Sequence, residues 1–508
     1  MDINAGTGGT GPCYGFGHPA KMKGNRMLRP SLVVVVLIVL ISSAANAQTP
    51  CPTGTTSVKL ICLIPQVYGP NGLVLINNNA QALGLASPFQ NGLPEALSPL
   101  NSSIARQTAL LPLASPSSGI TFAWDAASKI FVATTDSYGP ILGERADTIG
   151  KYRVYVGFGY QFFKFDNNDG TSLKNLRAVF TQPDTFASQA GPNGTPITCS
   201  LNPPDSPVNE GGCGFIRDII TSKNRVDLKL HQFTTFVTFG LTNRIDVSMA
   251  IPIENIRMGI TSDATIQNIS LTGDHEFPAR PDCPLPPQTT CLQSSSSNVS
   301  SASGIGDITF RVKGTAWKGE KAAFALGVDV RVPTGDALNF LGAGTAGFTP
   351  FAVWSYHARL SPHAFVGYQV NGSSVTAGDI STGAKDKLPG QLIYSGGADV
   401  WLTKRISAAF DVVGQQVFQA QRFALQQFIR PRACGSPACN GNELVPPPTP
   451  TDPNLLTTTG SYNITNASIG AKIRPFGRVV VTGNVLLKLN DGGLRATAVP
   501  LVGVGYTF

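Results

Sequence analysis

Twelve stretches of this chain alternate apolar and polar residues, and the connections between them are by turns very short and very long. The clearest stretch is 151–163, where Tyr152, Val154, Val156, Phe158, Tyr160 and Phe162 share one side and Arg153, Tyr155, Gly157, Gly159 and Gln161 the other. Side chains of a strand point alternately to opposite faces, so a period of two over this length predicts a strand with one apolar face. The remaining stretches are 226–240, 245–254, 307–317, 322–333, 347–356, 361–371, 391–402, 406–418, 461–475, 479–490 and 497–508. Short turns at 241–244, 318–320, 357–360, 403–405 and 476–478 join them in pairs. The longer connections are 167–225, 261–303, 334–346, 372–389 and 419–460, with a short one at 491–495. An even strand number with short turns at one end and long loops at the other is the pattern of a transmembrane β-barrel. The expected fold is all-β, an up-and-down antiparallel barrel of about twelve strands. The apolar phase slips at 231–233, which suggests a bulge, and the count rises by two if 120–137 joins the wall.

Both ends of the sequence fit an outer-membrane barrel. The last six residues alternate and finish on an aromatic, with Gly503, Tyr506 and Phe508 resembling the terminal signal read by the barrel-assembly machinery, although Leu501 stands where a polar residue is expected. Near the start, 32–41 is an unbroken apolar run preceded by Lys21, Lys23, Arg26 and Arg29 and followed by Ala45-Asn46-Ala47. That is the three-part layout of a signal peptide cleaved after Ala47, and ten residues at about 1.5 Å each are too few to span a hydrocarbon core. Residues 1–47 are therefore expected to be a leader, with Met27 an alternative start, and 151–508 to be the barrel of a Gram-negative outer membrane. Cys51 follows Pro50, which does not make a lipid-anchor site.

No segment after the leader has the ~20 apolar residues of a membrane helix. Without helices, only a closed barrel satisfies every backbone group in lipid. The 54 glycines, 38 prolines, 13% charged residues and mean hydropathy of +0.06 suit short strands, many turns and two unlike faces. The net charge is +8, of which the leader holds three, a weak field over the remaining chain that gives no support for nucleic-acid binding.

Residues 48–150 lack the rhythm, and either hang in the periplasm or fold back as a plug, since polar barrel interiors accept plugs. Only 120–124 and 130–135 there suggest short strands. The exported part holds eight cysteines in close pairs, Cys51/Cys62, Cys199/Cys213, Cys283/Cys291 and Cys434/Cys439. An even count in an exported chain points to loop-stapling disulfides rather than metal, with connectivity open.

The faces opposite the apolar ones carry charges: Arg153, Asp307, Arg311, Lys313, Asp329, Arg331, Asp399, Asp411, Lys472, Arg474 and Lys488. These are the candidate lumen-lining residues. They either neutralise one another in a wet interior or form a weakly selective lining of mixed sign. There is no nucleophile elbow or zinc-protease motif, and His231, His275, His357 and His363 fall in strands, loops or turns where solvated histidines are common. No catalytic, metal or cofactor residue is assigned, and the chain is not expected to be an enzyme.

Residues 326–336 (Leu-Gly-Val-Asp-Val-Arg-Val-Pro-Thr-Gly-Asp), with 346–351 and 397–403, resemble the outer-membrane barrels of the phenol-degradation meta-pathway transporter type. The resemblance covers about 304–418. It implies a channel or transporter for small, often hydrophobic or aromatic, molecules. The alternative reading is a surface-binding or structural barrel acting through its long stapled loops. The expected partners are the lipid bilayer, lipopolysaccharide, the assembly machinery and a small solute, with the barrel acting as a monomer.

Overall fold

Twelve strands close on themselves in the computed structural model, each hydrogen-bonded antiparallel to its neighbours in the chain. The structure describes residues 138–180, 219–267, 291–380, 383–429 and 451–508, with shorter pieces of the preceding region and of the long loops. The leader expected at 1–47 lies outside the described residues. So do Cys213, Cys283, Cys434 and Cys439, and no side chain is described for Cys199.

The wall strands are β1 (Val154–Asn168), β2 (Ile219–Gly240), β3 (Ile245–Gln267), β4 (Ile308–Lys318), β5 (Ala322–Val332) and β6 (Gly347–Tyr356). The ring continues with β7 (Leu360–Asn371), β8 (Gln391–Thr403), β9 (Ile406–Ile429), β10 (Thr451–Ile473), β11 (Val479–Lys488) and β12 (Ala498–Thr507). It closes where β12 pairs with β1, from Leu501↔Gln161 to Thr507↔Tyr155. Closure leaves no strand edge facing lipid. Among the described residues the strands Phe122–Asp125 and Ile130–Ala133 pair with each other and not with the wall.

The expected bulge at 231–233 is absent. β2 and β3 pair without interruption from Gly240↔Asp246 to Ile219↔Gln267. What changes there is the solvent outside the wall. Outward positions of β2 are Phe239, Val237 and Phe233 up to this level, then His231, Lys229, Asp227 and Arg225 beyond it. The inward positions invert in step, from Thr238, Thr234 and Gln232 to Leu230, Leu228 and Val226, all buried. β3 inverts at the same height, after Ile253 outside and Glu254 inside. From Ile245 to Ile253, eight residue steps of about 3.3 Å at a tilt near 40° make a band about 20 Å tall, close to the height of an outer-membrane apolar belt. Exposed aromatics edge the belt: Trp317, Trp354, Tyr506 and Phe508 at the short-turn end, Phe233, Tyr368 and Phe348 at the other.

Because β2, β3, β9 and β10 run for 22 to 24 residues, much of what the sequence offered as loops at 167–225, 261–303 and 419–460 is strand. About 9–11 residues suffice to cross. The excess stands outside the membrane, where a Ser-rich outer face is at home in water. The strand Gln293–Ile305 pairs with the upper half of β3 and continues the line of β4 past Gly306 and Asp307.

At the closing seam the Phe508 amide donates to the Val154 carbonyl at 2.8 Å, and its ring meets Tyr506 edge-on at 4.7 Å. Deletion of Phe508 should therefore slow barrel assembly, seen as loss of the heat-modifiable gel band. Wild-type amounts of that band would show that the terminal aromatic is dispensable.

Candidate functional site: a strap across a charged lumen

The lumen has two halves of opposite chemistry. In the outer half, inward Phe163 and Phe165 of β1, Leu228 and Leu230 of β2, Ile256 and Met258 of β3 and Phe423 of β9 form one buried apolar cluster with Leu60, Ile61, Ile64 and Val67. The last four flank or belong to a short 3-10 helix, Leu60–Cys62, which the Cys51–Cys62 disulfide ties at its base. Further contacts hold this segment inside the wall. Lys59 Nζ meets Asp336 at 2.6 Å, Tyr68 donates to Ser262 Oγ at 2.7 Å, and Ser296 donates to the Val67 carbonyl at 2.6 Å. Cys291 is also disulfide-bonded.

In the half near the short turns many inward side chains are charged, among apolar ones such as Phe236, Phe351 and Val353, and the charged ones find most of their partners on one irregular segment, 138–150. Its Glu144 accepts from Arg311 at 2.7 Å and from Lys313 at 2.7 Å, while Arg311 also forks onto Asp329 at 2.6 and 2.7 Å. Arg145 reaches Asp399 on β8 at 2.5 Å. The Ala146 amide donates to Ser355 on β6, and its carbonyl accepts from Thr315 on β4. Asp147 takes His357 Nε2 at 2.5 Å and Lys318 at 3.0 Å, and the Ile149 amide donates to Asp246 on β3 at 2.9 Å. On the opposite wall, Lys472 donates to the carbonyls of Tyr138 and Pro140 at 3.1 and 2.6 Å. The segment is thus bound to strands all round the lumen.

His363 sits at the centre of this arrangement. It is buried, with Nε2 donating to Asp411 at 2.6 Å and Nδ1 3.6 Å from Asp399. Both carboxylates are fully buried, so each needs its cation, as an unpaired buried charge is strongly destabilising. Gly143 packs against this histidine so closely that a Cβ would lie 2.6 Å from its Nε2. A side chain cannot be fitted there without moving one or the other.

Of the sequence-assigned lining residues, Arg311, Lys313, Asp329, Asp399, Asp411 and Lys472 come together in this half. Asp307 and Arg331 form a separate buried pair at 3.6 Å, with Asp307 also accepting the Gly335 and Ala343 amides. Arg153 is buried just before β1. Arg474 lies at the short-turn rim, donating to the Lys404 carbonyl at 3.1 Å, and Lys488 at the opposite rim, 2.9 Å from Asp491. Sequence reasoning missed Glu144, Arg145 and Asp147, whose one signal was a charged run beside Tyr-Gly-Pro in an otherwise uncharged stretch. It also took His357 and His363 for solvated residues. His363 is buried beneath the segment at 138–150, and His357 is half-buried with its Nε2 on Asp147.

Burial tends to raise the Asp147 carboxyl, but the His357 hydrogen bond and the charges of His357 and Lys318 outweigh it and hold the group well below the ordinary carboxylate range. A group whose folded pKa is depressed stabilises fully above its unfolded value, near 3.9, and loses that contribution as the pH falls through the folded value. Hydrogen exchange at the Ala146 amide, next to Asp147, should therefore stay protected down to about pH 4 and lose protection only below it. Loss of protection already near pH 6 would contradict this anchor.

A closed twelve-strand barrel with an apolar belt between two aromatic rims, and its charges turned inward or placed beyond those rims, is an outer-membrane β-barrel. Residues 223–426, from within β2 to within β9, match the family described as "Putative MetA-pathway of phenol degradation". Over that stretch the chain is similar to this family, in line with the resemblance carried by the motif at 326–336. Among solved structures, an outer membrane channel from Pseudomonas putida F1 aligns with a TM-score of 0.36 and 10% identity, over 72% of this chain and 98% of that one. A FadL homologue of Pseudomonas aeruginosa aligns with a TM-score of 0.25 and 8% identity, over 70% and 88%. The toluene transporter of Ralstonia pickettii aligns with a TM-score of 0.23 and 11% identity, over 72% and 91%. No curated protein sequence matches the chain.

Proposed function

We propose that the protein is an outer-membrane channel for small hydrophobic or aromatic molecules, with 48–150 acting as a plug whose strap, 138–150, closes the inner half of the lumen. The observation that carries this reading is the direction of the buried charges: the wall spends them on the strap. A barrel needing only internal neutrality would pair them strand to strand, as Arg311 and Asp329 already do. The apolar outer half supports the solute class, since binding sites for such molecules are mostly apolar with few polar groups. Passage then requires the strap to leave its contacts.

The test is entry of a radiolabelled monocyclic aromatic hydrocarbon into cells with and without the protein. Entry should be several-fold faster with it, and faster again in Glu144→Gln, which loosens the strap from β4. Equal entry in both strains would sink the proposal.

One observation favours a second reading, a surface-binding barrel. The β2–β3 and β9–β10 arms stand well clear of the belt and bury an apolar interior of their own. Trimming the arms should then abolish a surface interaction while leaving solute entry unchanged.

A further inference from the structure

Just above the apolar belt, on the outside of the wall, Lys164, Lys229 and Arg257 are direct cross-strand neighbours on β1, β2 and β3. All three point away from the lumen, one residue pair beyond Phe162, His231 and Asn255. Like charges directly opposite on adjacent strands repel, so nothing in the fold itself favours this row. Of the acids in and beside the cleft, Asp227 meets Lys229 at 2.9 Å, Asp263 meets Arg225 at 2.5 Å, and Asp166 accepts from Thr497 and lies 3.9 Å from Lys488. Among the described residues Lys164, Arg257 and neighbouring Lys174 have no ion-pair partner. These side chains, with Arg225, line a cleft of about 780 Å³ that opens outward.

We propose that this cleft binds the phosphorylated headgroup of a lipid in the outer leaflet of the membrane. Three observations choose a lipid over a free anion. The row stands at the upper edge of the belt, where headgroup phosphates lie. Exposed Phe158, Phe233 and Ile253 continue directly beneath it, offering an apolar bed for acyl chains of the same molecule. The excess positive charge is local, because the acids next to it are paired off. Phosphate oxygens would supply the anion that Lys164 and Arg257, on either side of Lys229, lack, through charge-assisted hydrogen bonds. The proposal stands on the membrane placement of the barrel and is independent of whether a solute crosses it.

The test is retention of bisphosphorylated lipid A by the purified, folded protein in detergent. The wild type should retain it, and Lys164→Gln with Arg257→Gln should weaken retention by roughly tenfold or more. Both positions are exposed, and an unchanged heat-modifiable band verifies that the variant is folded. Lys404→Gln with Arg405→Gln, at the opposite rim, should change nothing. Two further arms use the wild-type protein alone. Lipid A stripped of phosphate should bind much more weakly, and millimolar inorganic phosphate should fail to displace the bisphosphorylated form. Equal retention by the cleft variant, or of the phosphate-free lipid, overturns the proposal. Displacement by inorganic phosphate overturns the choice of a lipid.

Discussion

Replacing Glu144 with glutamine should free the strap from β4. The carboxylate is the shared acceptor of Arg311 and Lys313, and Lys313 is almost fully buried with the Arg145 carbonyl as its other acceptor. Arg311 keeps Asp329, so the loss falls mainly on Lys313, a buried charge stripped of its hydrogen-bonded counter-ion and left facing Asp246 across the β3–β4 pair. Breaking one side of such a pair costs about 3–5 kcal/mol, whereas replacing both partners with apolar groups is often close to neutral. The Ala146 amide should accordingly exchange roughly a hundred- to a thousand-fold faster in Glu144→Gln, since only the strap need open. The double variant with Lys313→Met should recover much of that protection, a non-additivity that a double-mutant cycle reads directly. Unchanged exchange in the single variant would show that Glu144 does not hold the strap.

Gly240→Val should prevent assembly altogether. Gly240 closes β2 at the short-turn end, where it donates to the Arg153 carbonyl at 2.9 Å and accepts from the Tyr152 amide at 2.7 Å. A Cβ there would sit 1.8 Å from the carbonyl oxygen of Gly150. The obstacle is backbone, at the point where the strap turns into β1, so no rotamer change relieves it. Overpacking a core usually costs about 1–3 kcal/mol, and displacing two main-chain segments that fix the β1–β2 register should exceed that range. The expected result is loss of the heat-modifiable band and degradation of the exported chain. A folded barrel from this variant would mean that the strap and β2 are not in close apposition.

The wall was legible in the sequence wherever one face met lipid. Across 151–163 and 245–254 a period of two survives because lipid outside and polar lumen inside impose opposite demands on alternate residues. Short turns such as 241–244 were legible for the same reason, as brief breaks between two such runs. The upper halves of β2 and β3 were not. Beyond His231 and Asn255 the outer face meets water and the inner face meets Leu60, Ile61 and Ile64, so the alternation continues with its sign reversed. A reversed sign looks like a slipped phase, and it was taken for a bulge. Gln293–Ile305, rich in serine, has little apolar signal on either face and passed for loop.

The site divided along the same line. Arg311, Lys313, Asp399 and Lys472 were found because the strand pattern says which way they face. Their partners Glu144, Arg145 and Asp147 lie on a segment with no repeating backbone geometry, so no periodicity marks them. His363 was misjudged through its neighbourhood: on β7 alone it is three residues past a turn, and only the strap and Asp411 bury it.

The central claim is that residues 138–150 close the lumen, and conductance across a planar bilayer tests it most directly. The wild-type barrel should be closed or nearly so at all voltages, and a variant lacking 48–150 should form a steady pore of weak ion selectivity, because the exposed lining carries both signs. A deletion variant that folds, inserts and still conducts nothing would contradict the account.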